Sequence, residues 1–328
     1  MNNRKKYALV AVIITVAGFT YIKKSHRNIL SDISGVAAGN TELKTRVPVL
    51  EKDKGNIPVT KSTAAENVSK GYVAGIYQST SAPTQPVEWV TIPGGKFMMG
   101  TDDFKDAKPI HEVAIKTFEM SKTAVTVEQY TECVIKSECT KPGTACNPDT
   151  ECGPLSDNDY CNWGKPDRRF HPVNCVTWDQ ANQYARFKGA RLPSESEWEY
   201  AAKSGGKNQK YSWGNNEPTC DKAVMYGNGN SGCSKYRDGT MPVCSKPAGN
   251  TEQGLCDMVG NMGQWVQDKY QNSYKGAPAD GSAFEGEGPF RIARGGFFSR
   301  YLRVDSRFLH GPGDSGDGLG FRLARSHR

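Results

Sequence analysis

Apolar and polar positions alternate with a strand-like period from Val87 onward. Trp89 to Ile92 and Lys96 to Met99 predict two strands on either side of a tight Pro93-Gly94-Gly95 turn. Val113, Ile115 and the nearby Phe118 continue the alternation. The period then becomes helical. Thr126 with Gln129, Thr177 with Gln180 and Ser194 with Glu197 form three capping boxes. In each, a hydroxyl accepts from a free amide at a helix start and the Gln or Glu side chain returns the bond. They open helices with apolar positions at Val127, Tyr130 and Val134; at Trp178, Ala181 and Ala185, stopped by Gly189; and at Trp198, Ala201 and Ala202. Past Gly205 the chain is dense in Gly, Asn, Pro and Asp, which predicts long loops between short elements.

The N-terminal part follows another pattern. Residues 7–22 are uncharged and almost wholly apolar, between Arg4, Lys5 and Lys6 on one side and Lys23, Lys24 and Arg27 on the other. The run is slightly short of the ~17–25 residues that span a bilayer, and flanking basic side chains that snorkel make up the difference. We read 1–6 as a cytoplasmic basic tail, 7–22 as a transmembrane signal-anchor, 23–85 as a flexible linker and 86–328 as the folded domain. A cleaved signal peptide ending near Thr15-Val16-Ala17 is the alternative. Either way the domain is expected outside the cytoplasm. With the anchor retained, the chain is a single-pass inner-membrane protein facing the periplasm or the exterior.

Composition sharpens this. All ten cysteines lie between Cys133 and Cys256, none in C-x-x-C spacing, which favours structural disulfides in an oxidising compartment over a zinc site. The net charge of +7 owes much to short basic clusters at the start, and no basic-aromatic surface pattern accompanies it. Nucleic acid is therefore not an expected partner.

Five blocks carry a family resemblance: RLPSESEWEYAAKSGG (191–206), YSWGNN (211–216), GLCDMVGNMGQWVQD (254–268), RIARGGFF (291–298) and GLGFRLAR (318–325). In this order and spacing they resemble the sulfatase-modifying-factor domain, the family of the formylglycine-generating enzyme, over about residues 86–325. The resemblance implies an α+β, C-type-lectin-like fold, irregular, loop-rich and here disulfide-stapled. It also implies, for the family's enzymes, oxidation of a substrate cysteine to formylglycine by two copper-binding cysteines between the paired glycines and the last block. In this chain the interval after Gly296 reads Phe297, Phe298, Ser299, Arg300, Tyr301, Leu302 before Arg303, without cysteine. Soft Cu(I) calls for thiolates, so no copper is expected. Ala185 and Leu323 likewise stand where the enzymes often carry a further cysteine pair, which reads as the loss of one structural disulfide.

The resemblance also implies a calcium block. Asp257 and Gln264 occupy the places of an Asn and a Glu ligand, with carbonyls from Gly260 and Met262, so calcium is a candidate cofactor. The alternative is a glycine turn before a buried strand, capped by Asp257. The family's other calcium site does not transfer, because Val224 replaces an Asn ligand. His111, His171 and His310 pair with no nucleophile in sequence and read as structural or surface residues. Arg294, Arg303, Arg307, Arg322 and Arg325 are expected to ion-pair with Glu195, Glu197, Glu199 and Asp305 rather than to line an anion cleft. The functional expectation is a non-catalytic binding or regulatory module of the cell envelope, with an envelope protein or glycan as partner. A formylglycine-generating oxidoreductase with displaced cysteines is the enzymatic alternative, and a structural envelope component a third reading.

Overall fold

A computed structural model describes residues 85–143, 160–225, 233, 239–296 and 302–327. The expected tail, anchor and most of the linker lie outside these residues, as does the interval 297–301. Among the described residues, no helix is long and apolar enough to cross a membrane.

The three capping boxes all form. Helix α1 (Val127–Ile135) starts at Thr126, α2 (Trp178–Phe187) at Thr177 and α3 (Glu195–Ala202) at Ser194, each with both reciprocal bonds in place. The chain leaves α2 through Gly189, whose φ of +62° suits a residue without a Cβ.

The two strands about the Pro93-Gly94 turn also form, as β1 (Trp89–Ile92) and β2 (Gly95–Met99), yet they do not pair with each other. Strand β2 pairs antiparallel with β3 (His111–Ile115), and β1 with β4 (Phe118–Ser121). The turn is pinned to the β3–β4 connection: Gly94 N donates to Thr117 Oγ1 at 3.0 Å. A Cβ on Gly94 would come within 2.6 Å of the Ile115 carbonyl oxygen, which is why glycine sits there.

The loop-dense second half supplies β5 (Gly263–Lys269), β6 (Arg291–Arg294), β7 (Arg307–His310), β8 (Leu319–Phe321) and β9 (Ala324–Ser326). A four-stranded sheet runs in the order β7-β6-β5-β8, with β5 and β8 parallel, while β9 joins β4 in the order β1-β4-β9. Two apolar clusters cover these sheets. One gathers Ile92, Phe97, Met120, Trp198 and Ile292; the other gathers Tyr130, Tyr184, Trp265 and Phe321, with Tyr130 stacked on Tyr184 at 5.4 Å. Reciprocal indole bonds, Trp178 Nε1 to Val266 O and Trp265 Nε1 to Val176 O, fasten β5 to the start of α2.

Four disulfides, Cys133–Cys139, Cys161–Cys175, Cys220–Cys233 and Cys244–Cys256, pair eight of the ten cysteines. Cys146 and Cys152 lie outside the described residues. Ala185 and Leu323 are both fully buried in the second cluster, so apolar packing fills both positions.

Candidate functional site

The candidate site is the paired-glycine turn after β6 and the frame beneath it. Gly295 has a φ of +93°, and a Cβ there would meet Met258 O at 2.6 Å and the Trp198 ring at 3.1 Å. The carbonyls of Gly295 and Gly296 both accept from Gly260 N, at 3.1 and 2.9 Å, so the turn rests on the 257–262 block. Beyond the interval the chain returns at Leu302, buried, and Val304 N donates to Lys210 O at 2.9 Å.

Arg294 closes the base of this loop. Its side chain is fully buried and donates to Glu195 Oε1 (3.0 Å), Glu199 Oε2 (2.6 Å) and Val304 O (2.7 Å). It therefore ties the residue before the turn to the stretch after the interval, and both to α3. Arg307 grips Glu195 with two further bonds, at 2.7 and 3.0 Å, and Tyr274 OH donates to the same carboxylate at 3.2 Å. Lys203 donates to Glu199 Oε1 at 2.7 Å.

The electrostatics follow from these contacts. Burial pushes the Glu199 carboxyl up, but Lys203 and Arg294 outweigh it and hold the pKa at about 2. Asp268, which accepts from the backbone amides of Glu195 and Phe284 at 2.7 Å each, is pushed up to about 7 by burial and by the negative charge of Glu195. Burial opposes the charge on Arg307, and Glu195 more than restores it. The frame is an ionic lattice in which the carboxylates are engaged by cations or amides, which suits positioning rather than nucleophilic attack. Of the Arg294 guanidinium, Nε alone is left without a partner among the described residues.

The expected arginine pairings hold in part. Arg294 and Arg307 meet the acidic face of α3, and Arg303 meets Asp305 with bonds of 2.9 and 2.6 Å. Arg325 instead pairs with Glu119 across β4 and β9, because strand register brings those two together, and Glu197 goes to Arg191. Arg322 is held by oxygens rather than by a carboxylate ion pair: Gln264 Oε1 (2.6 Å), Ser121 O (2.9 Å) and Cys256 O (2.6 Å).

Arg322 decides how the calcium block is arranged. Asp257, Gly260, Met262 and Gln264 do converge on one loop, and all are buried. Gln264 Oε1, however, accepts from both Trp198 Nε1 (2.9 Å) and Arg322 Nε, and its Nε2 donates to Asp257 O at 2.7 Å. Asp257 Oδ2 accepts from Cys244 N at 2.8 Å, and Gly260 O accepts from Met262 N. A cation on Gln264 Oε1 would sit against a buried guanidinium and displace two donors. As arranged, these donors do not fit a calcium shell. Trp198 and Arg322, absent from the sequence-based ligand set, are the partners that matter here; both lie in blocks quoted for the resemblance.

The histidines have structural surroundings. His171 Nδ1 lies 2.9 Å from Thr240 Oγ1, and burial with the neighbouring Arg168 charge pushes its pKa down to about 4. His111 packs on the Tyr274 ring, and His310 packs on Trp265 with Asp314 3.7 Å away.

Residues 77–327 match the sulfatase-modifying factor enzyme 1-like domain, and the chain belongs to that family. Over 273 residues it is 31% identical to the inactive C-alpha-formylglycine-generating enzyme 2 of Bos taurus, covering 73% of this chain and 88% of that one. It is 30% identical over 287 residues to the formylglycine-generating enzyme of Streptomyces coelicolor, covering 72% and 88%. It is also 29% identical over 313 residues to the serine/threonine-protein kinase pkn1 of Chlamydia caviae, covering 88% of this chain but only 46% of the kinase. Among solved structures, PvdO from Pseudomonas aeruginosa superposes with a TM-score of 0.56 at 27% identity, over 76% of this chain and all of that one. Treponema denticola variable protein 1 shares the fold, with a TM-score of 0.55 at 21% identity over 76% and 99% of the two chains.

Proposed function

We propose that this chain is a non-catalytic member of its family: a membrane-tethered binding or regulatory module that meets an envelope protein or glycan outside the cytoplasm. One observation carries the reading. The interval between Gly296 and Arg303, where the family's enzymes place their copper-binding pair, contains no thiol. The eight cysteines among the described residues are committed to disulfides, which leaves Cys146 and Cys152 as the remaining cysteines. Without that pair, the Cu(I) centre of the family's enzymes loses the thiolates that hold it. The similarity to a bovine relative named inactive agrees with this, and the apolar run at 7–22 supports the tether.

The test is direct. The full chain, supplied with Cu(I), oxygen and a peptide bearing a sulfatase cysteine motif, is expected to yield no formylglycine above a control without protein, read by mass spectrometry. Product above the control overturns the proposal. Its loss in a Cys146→Ser, Cys152→Ser double variant would then locate the displaced pair.

A further inference from the structure

Beside Arg303, at the far stem of the interval, a cavity of about 380 Å³ opens between stretches that lie far apart in sequence: 100–110, 203–215 and 303–305. Its volume falls in the lower part of the roughly 300–1,000 Å³ range of small-ligand sites.

One wall is rigid. Asp305, only 4% exposed, accepts from Arg303 Nε and Nη2, while Arg303 Nη1 bonds Asp103 and the guanidinium lies 5.2 Å from the Phe104 ring. The facing wall is equally fixed in backbone. Val304 N donates to Lys210 O and Lys210 N donates to Asn215 Oδ1, both at 2.9 Å. Its side chains, by contrast, keep unused capacity. The Asn208 carboxamide and the Lys210 ammonium make no hydrogen bond within the described residues. Asn215 uses only its oxygen and Gln209 only its nitrogen. Ile110, 39% exposed, forms an apolar lip.

We infer that this cavity is a saccharide subsite. Vicinal hydroxyls each donate and accept, and they need donors and acceptors close together in fixed planes. Carboxamides beside a preorganised carboxylate–guanidinium pair supply that. Ile110 offers the C–H face of a pyranose ring an apolar contact. A phosphate would gain from the Lys210 ammonium but would face the carboxylates of Asp103 and Asp305, which already neutralise Arg303. A purely apolar ligand would strand the polar walls. The inference rests on the binding-module reading and deepens it by naming a ligand class and a place.

The experiment titrates the full chain in detergent with three disaccharides, of N-acetylglucosamine, glucose and galacturonate, alongside a tripeptide and inorganic phosphate, by saturation-transfer NMR. At least one disaccharide is expected to bind, and Asn208→Ala with Asn215→Ala to weaken it about ten-fold, the loss of one or two hydrogen bonds. The melting temperature of the single Asn208→Ala variant, whose side chain holds no bond among the described residues, and the sugar response of Lys116→Ala, at a separate cavity, should stay unchanged. Silence across the disaccharides, equal binding in the variants, or binding of the tripeptide or phosphate alone overturns the saccharide subsite. These outcomes leave the formylglycine assay untouched, so the site and the module reading fail separately.

Discussion

The frame beneath the paired glycines and the cavity beside Arg303 are both built from charged side chains, yet they use charge in opposite ways. In the frame, Arg294, Glu195 and Glu199 are shut away from water and hold one another. At the cavity, Asp103 is largely exposed and bonds to a guanidinium that Asp305 already satisfies. Buried ions must be paired because the cost of leaving one alone is several kcal/mol; exposed ions are screened and stay exchangeable. The frame therefore preserves geometry, while the cavity remains open to a partner. On the proposed non-catalytic reading, that separation lets a family fold outlast the loss of a redox pair, because the groups that shape the loop base are not thiols.

The largest test of this contrast is Arg294→Met. It strands Glu195 and Glu199 and removes the donor to Val304 O, although Arg307 and Lys203 still compensate in part. We expect a loss of about 3 kcal/mol, a drop of roughly 6–12 °C in melting temperature for a domain of this size. A change below 1 °C would mean the frame is not a structural unit.

A smaller effect concerns pH. The Asp268 pKa is raised to about 7 from 3.8, so the folded state holds a proton that the unfolded state releases. The stabilisation it contributes is full below the unfolded value and is lost as pH rises through 7. Between pH 5 and 8 that loss is on the order of 2 kcal/mol. Urea midpoints of the wild type should fall more over this range than those of Asp268→Asn, whatever the absolute stability of the variant. Parallel slopes would remove Asp268 from the frame's electrostatics.

At the cavity, Asp103→Ala should leave the denaturation midpoint within error, since the hydrogen bond and charge of Arg303 lower the Asp103 pKa but Asp305 keeps that guanidinium in place. A clear drop in the midpoint would erase the difference between the two regions.

Legibility in the sequence divides along physical lines. The helix starts could be read residue by residue, because a capping box is a bond between positions three apart. Strand pairing could not: β1 finds its partner 26 residues and more along the chain, and the adjacent β2 belongs to another sheet. Charge matching found the Arg294 and Arg307 pairs but not Arg325 with Glu119, which depends on β4–β9 register. The cavity left no trace in spacing, since its walls come from three distant stretches. The calcium block lies between these cases. Its four residues are adjacent and easily seen, but what their oxygens face is set by Trp198 and Arg322 from other blocks.

That block yields the smallest expected effect. Calcium bound only by the folded form would, at about a hundredfold its dissociation constant, add about 2.7 kcal/mol of stability. Here Gln264 Oε1 already accepts two donors, one of them from a buried cation, and Asp257 is turned to the Cys244 amide. Thermal melts of the full chain in calcium and in chelator are therefore expected to coincide. Asp257→Ala should lower the melting temperature equally in both, because the lost bond is to Cys244 N rather than to an ion. A calcium-dependent rise in the wild type, absent from Asp257→Ala, would show that the ion displaces Arg322 from Gln264. The frame would then be exchangeable like the cavity, and the contrast between them would fall.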